Sequence, residues 1–269
     1  MPRATRENGE GRRHVRRKQS ATKRNARTDF GSGSVANVLE LLMTGTIEAC
    51  RSIYWSSNYT FLAKVVGETG ECLAVYKPRR GETPLWDFPD GTLYRREYAA
   101  YLVSEALGWS LIPPTVIRDG PHGIGTVQLY VDADPDAHYL TFRDEPRPEI
   151  PRLVAFDYIV NNADRKSGHC LKGRDGRIWA IDNGLTFHTL PKLRTVIWDL
   201  QGEPLPADLQ SDLRTLQRRL AHGTPLAQAL AALLTPAEID ALRHRVQHLL
   251  ESGRFPLPGS GRHYPWPLV

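Results

Sequence analysis

Asn161-Asn-Ala-Asp-Arg-Lys-Ser-Gly-His169 and, twelve residues on, Ile181-Asp-Asn-Gly184 set the reading of the whole chain. A helical pattern leads into the first run, with Leu153, Phe156, Ile159 and Val160 on its buried side from Pro151 to about Asn161. A strand pair follows it: Cys170–Lys172, a turn over 173–176, then Ile178–Ile181. A dense Asn/Asp/Arg/Lys/His loop between apolar elements is unusual for an ordinary turn. Asp182 stands at the end of an apolar strand, a place poised over a cleft rather than inside a core. Asp164 and Asp182 lie 18 residues apart across one hairpin, so both carboxylates can face one ligand.

Upstream, the runs Thr60–Val66 and Cys72–Tyr76 read as strands around the turn Gly67-Glu-Thr-Gly70. Val35 to Leu42 is apolar at helical spacing and Gly45 stops it. Leu93–Leu107 reads as a helix closed by Gly108. Ile112–Ile117 and Thr126–Val131 read as two more strands. The glycines at 120, 123 and 125 between them form a turn, because a dinucleotide fingerprint would open a helix instead. Residues 132–150 read as an irregular hinge, and the remainder as mostly helix. Thr235-Pro-Ala-Glu238 is a capping box that opens a helix reaching about Glu251. Strands with one helix, then a hinge, then helices predict an α+β, protein-kinase-like bilobal fold. The expected divisions are a disordered basic tail (1–33), a strand-rich N-lobe (34–131), a hinge (132–150), a mainly helical C-lobe (151–255) and a terminal tail (256–269).

Composition narrows the function classes. Of 269 residues, 41% are hydrophobic and 24% charged, as in globular domains. No apolar run reaches the roughly 18 residues of a membrane span, and no secretory leader is apparent, so a cytoplasmic protein is expected. Three scattered cysteines exclude a disulfide framework or a CxxC zinc site. The formal charge of +5 belongs to the tail: residues 1–30 carry ten Lys/Arg against three acids. The rest of the chain is therefore near −2, which makes a specific nucleic-acid binder the weakest candidate.

Phosphoryl transfer needs a cation on the nucleotide phosphates, a residue that orients it, a carboxylate near the acceptor hydroxyl and oxygen ligands for Mg²⁺. Lys77 ends a strand and Glu97 follows 20 residues later in a helix, the order that a Lys–Glu pair requires.

These stretches resemble the D-R-H-x-x-N and I-D-F-G signatures of phosphatidylinositol 3-/4-kinase-like enzymes, with a related version in HipA-type protein kinases. The body over about 35–255 is similar to an actinobacterial family described as phosphatidylinositol kinase-like. Val75-Tyr-Lys-Pro78, the run from Pro84 to Thr92, Asn161–His169 and Lys192–Val196 carry the likeness. The resemblance implies an ATP-dependent kinase of unknown acceptor (protein, metabolite or lipid headgroup), with Mg²⁺ or Mn²⁺. It assigns Lys77 to the phosphates and Glu97 to orienting it. Ser57 and Asn58 fall in the phosphate-covering loop, and Gln128 and Tyr130 in the strand that meets adenine. Asp164 becomes the catalytic-loop carboxylate, with Lys166 beside it, and Asp182 the metal ligand. His169 stands where that family has Asn, and imidazole is a poor partner for Mg²⁺. His169 then touches phosphate or metal, or an oxygen of Asn161, Asn162 or Asn183 fills the place. Two other outcomes stay open: a nucleotide-binding pseudokinase, or transfer of AMP on the same fold.

Overall fold

Pro113 and Pro114 have no backbone N–H to give to a ladder, so the strand expected from Ile112 starts only at Thr115. It also runs further than expected. β4 (Thr115–Gly120) and β5 (Gly123–Leu129) meet across Pro121-His122, a tighter hairpin than the sequence indicated. The computed structural model describes residues 35–53 and 58–269; the basic tail and Ser57 lie outside them.

The N-terminal half is one antiparallel sheet in the order β1-β2-β3-β5-β4. β1 (Thr46–Ile53) is an edge strand absent from the sequence reading. β2 (Thr60–Gly67) and β3 (Gly70–Pro78) form the expected hairpin. α1 (Val35–Thr44) lays Leu41 and Leu42 against Ala63, Val65, Ala74, Tyr76 and Val127, closing one small core.

α2 (Leu93–Leu107) belongs to the second core. Its Ala99, Ala100, Tyr101, Val103 and Leu107 pack with the C-terminal helices. Gly108 ends it at φ 70°, where a residue without Cβ is unstrained. Its first turn is capped from the preceding loop: the Glu82 carboxylate accepts the N–H groups of Leu93 (3.0 Å) and Tyr94 (2.8 Å).

The expected hinge is partly ordered into α3 (Tyr139–Phe142), because Tyr139 and Phe142 are buried, and α4 (Glu149–Val160) begins at its far end. The two-stranded sheet of β6 (Cys170–Lys172) and β7 (Ile178–Ala180) follows. α5 (Ala207–Arg219), α6 (Pro225–Ala231) and α7 (Pro236–Ser252) complete the C-lobe. The capping box is present: Thr235 and Glu238 satisfy each other's backbone N–H groups. A buried ion pair between Arg96 of α2 and Glu238 of α7 ties α2 to the C-terminal helices, and Arg96 Nη1 also donates to the Thr186 carbonyl (2.7 Å). No helix among the described residues is long and apolar enough to cross a membrane. The architecture is the α+β, kinase-like bilobal fold.

Candidate active site

β3 delivers Lys77 to the cleft between the halves. Its neighbour β5 approaches so closely that a Cβ on Gly125 would sit 2.2 Å from the Lys77 carbonyl oxygen, so that position requires glycine. The ammonium then meets two carboxylates at once: Glu97 Oε2 at 3.0 Å and Asp182 Oδ1 at 3.0 Å. Glu97 is buried, and its second oxygen accepts the Asn183 N–H (3.2 Å). One glutamate therefore orients both the lysine and the backbone that carries Asp182. Burial pulls the Lys77 pKa down, but Asp182 and Glu97 outweigh it and leave the pKa raised. Lys77 in turn holds the Asp182 carboxyl well below the usual range.

Asp182 sits in the left-handed region at φ 57°, a conformation costly for a residue with a Cβ. Arg165 holds it there. This guanidinium is fully buried and pairs with Asp157 of α4 (2.9 Å). It also donates to Asn183 Oδ1 (2.6 Å) and to the Ile181 carbonyl (2.8 Å), on either side of Asp182. Sequence reasoning passed over Arg165 and Asp157. An arginine eight residues after a helical aspartate was the available signal.

His169 Nδ1 lies 2.9 Å from the Asp164 carbonyl, which can only accept, so Nδ1 carries the proton. The lone pair of Nε2 then faces Asp182 Oδ2 at 3.4 Å. Burial lowers the His169 pKa to about 4, against the pull of Asp182, so Nε2 carries no proton near neutrality. Two electron-rich atoms aimed at each other have the chemistry to share a divalent ion. Among the described residues no group of three His/Cys/Asp/Glu surrounds such a site. The nitrogen donor suits Mn²⁺ better than Mg²⁺.

Asp164 lies beside this pair, with Lys166 Nζ 3.3 Å from its Oδ2. Burial raises its pKa, and Lys166 opposes the shift.

Other expected residues are engaged elsewhere. Asn162 is fully buried; its oxygen accepts the Asp164 N–H (2.9 Å) and its amide donates to Asp157 (3.1 Å), so it shapes the loop and presents nothing to a metal. Asn161 and Asn183 spend their side chains on backbone groups and on Arg165. Gln128 lies inside the sheet, paired with β3 and β4, and its side chain donates to the Thr115 hydroxyl (2.9 Å), which leaves only its backbone for the expected adenine contact. Tyr130 lines a recess with Val131, Asp132, Arg174 and Trp179, but past the end of β5. Asn58 Oδ1 accepts the Thr83 N–H (2.8 Å) and braces the neighbouring loop. Lys192 pairs with Asp87 (2.8 Å) under Trp86.

No family model matches the chain. Over 262 residues it is 41% identical to Protein Rv2133c of Mycobacterium tuberculosis, covering 84% of this chain and 94% of that one. The chain belongs to the Rv2133c family. A shorter match joins this family member to phosphatidylinositol 4-kinase gamma 4 of Oryza sativa subsp. japonica: 29% over 108 residues, 33% of this chain and 19% of that protein. Among solved structures, hydra Fam20 with sugar superposes with a TM-score of 0.50 at 15% identity, covering 81% of this chain and 87% of that chain. That likeness concerns the fold.

Proposed function

We propose that this Rv2133c-family protein is an ATP-dependent phosphotransferase. The observation that carries the reading is Lys77 held 3.0 Å from both Glu97 and Asp182 at the mouth of a kinase-like cleft. A cation fixed between an orienting glutamate and a metal-type aspartate is what phosphate binding before in-line transfer requires. The likeness over 108 residues to a phosphatidylinositol kinase supports the same chemistry.

In this reading Lys77 meets the nucleotide phosphates, and Asp182 with His169 holds a divalent ion, Mn²⁺ in preference to Mg²⁺. That ion would neutralise charge on the phosphates. The acceptor hydroxyl oxygen bonds to the γ-phosphorus while the bond to the bridging oxygen breaks, ADP leaves, and the hydroxyl proton passes to Asp164. The raised pKa of Asp164 suits it to take that proton. Lys166, beside Asp164, faces the transferred group.

The test uses ATP labelled at the γ- or α-phosphate, with Mn²⁺ or Mg²⁺. Transfer of the γ-label that disappears in Asp164→Asn and Asp182→Asn supports the proposal. Transfer of the α-label instead means AMP transfer. Nucleotide binding with neither transfer means a sensor module, a second reading that His169 in place of an amide favours. Absence of nucleotide binding refutes the proposal.

A further inference from the structure

The loop that carries Asp164 does not stand alone. Arg165 N–H donates to the Arg194 carbonyl (2.9 Å), and Val196 N–H donates to the Arg165 carbonyl (3.1 Å). The two segments thus run side by side as a short parallel ledge. Two backbone donors of this ledge reach a third segment. Thr195 N–H donates to the His263 carbonyl (3.1 Å), and Ser167 N–H, three residues after Asp164, donates to the Leu268 carbonyl (2.7 Å). The indole N–H of Trp198 shares the His263 carbonyl (3.2 Å).

Residues 263–268 therefore lie across the ledge on carbonyls five residues apart. Beyond these bonds, the His263 ring packs edge-on against Trp198, with 6.0 Å between ring centres. Pro265 is buried, but Tyr264, Trp266 and Leu268 are exposed. Large apolar side chains standing in water leave the hydrogen bonds, the His263–Trp198 ring contact and one proline as the grip, a small anchorage for six residues. Both donors take backbone carbonyls of one segment, so the ledge is shaped to receive a chain that offers carbonyls. A polypeptide offers repeated backbone carbonyls along its length, which a small sugar does not.

We infer that the ledge formed by Arg165–Gly168 and Arg194–Trp198 is the docking groove for a polypeptide acceptor, and that residues 263–268 occupy it in cis until the acceptor displaces them. This rests on the phosphotransferase reading and names its acceptor class. A Ser, Thr or Tyr hydroxyl of the docked chain would be presented to Asp164, with the bond changes given above.

Pro265→Asp places a carboxylate at the buried anchor and frees the segment. A fluorescent synthetic peptide of residues 262–269 should then bind the full-length variant at least about tenfold more tightly than the unmodified protein, whose groove is filled, since one or two hydrogen bonds set the difference. Amide exchange at Ser167 and Thr195 should accelerate in the variant, and added peptide should restore its protection. With γ-labelled ATP and a mixture of Ser-, Thr- and Tyr-containing peptides, the variant should transfer faster than the unmodified protein. His263→Ala, which removes the ring contact with Trp198 from the segment and leaves the ledge intact, should shift each readout in the same direction by less, and it serves if Pro265→Asp does not fold. Equal peptide binding by variant and unmodified protein, or label entering phosphatidylinositol vesicles and no peptide, overturns the inference. If no nucleotide binds, the phosphotransferase reading fails while the peptide-binding result still reports on the groove.

Discussion

Arg165→Met removes a buried guanidinium and strands its partner. Asp157 is 1% exposed, and Arg165 contacts both its oxygens; the amide of Asn162 is its other side-chain donor. Breaking one side of a buried ion pair costs about 3–5 kcal/mol, because the charge left behind is uncompensated. The bonds to Ile181 and Asn183 go with it, but they share the same burial and do not add in full. A destabilisation of about 4 kcal/mol lowers Tm by roughly 8–16 °C in a domain of this size. Urea unfolding followed by circular dichroism measures it. Arg165→Met/Asp157→Leu exchanges the pair for apolar volume and should recover roughly half of the loss, since such replacements are often near neutral. Phosphoryl transfer should stay low in both variants, because Ile181 and Asn183, which flank Asp182, have lost their anchor. A cost under about 1 kcal/mol for Arg165→Met, or a double variant no more stable than the single one, refutes the reasoning.

Gly125→Ala forces a shift against the Lys77 backbone, so nucleotide affinity should fall about tenfold and stability by about 1–3 kcal/mol, read by nucleotide titration and urea unfolding. Glu97→Gln leaves Lys77 held by Asp182 alone; KM for ATP should rise more than kcat falls, as steady-state kinetics would show. Thr235→Ala removes the cap of α7 and should cost about 1 kcal/mol in urea, with nucleotide affinity unchanged. Burial pushes the Cys170 thiol up to about 12, so at pH 8 only about one molecule in ten thousand is thiolate. Alkylation of Cys170 at that pH should therefore wait for unfolding, and mass spectrometry of the native protein should find it unmodified.

The elements legible in the sequence were those set by local chemistry. Gly108 and the Thr235–Glu238 box fix helix ends within a few residues, and the Lys77–Glu97 order needed only one strand and one helix. β1 escaped because it is a half-exposed edge strand whose burial does not alternate cleanly. The place of Gln128 came from the resemblance, as part of a strand that meets adenine through its backbone, and its side-chain partner, Thr115, was not legible because it comes from the next strand over. Asn162 was offered as an oxygen to replace the one that His169 lacks, and that its carboxamide serves the loop itself shows only in three dimensions. Arg165 was hidden by the expectation that arginines lie at the surface, and its pairing becomes visible only when α4, the loop and the β7 end meet. His169 remained ambiguous in sequence because its role depends on which nitrogen faces the Asp164 carbonyl.

The Arg96–Glu238 pair has a mechanical consequence. It rivets α2 to α7, and the inner face of α2 already shares the C-lobe core, so the helix travels with that lobe. Any rotation of the sheet relative to the C-lobe would therefore be taken up where β3 faces α2 and the end of β7, at the Lys77–Glu97 and Lys77–Asp182 contacts, so the lengths of these two ion pairs report the relative position of the halves.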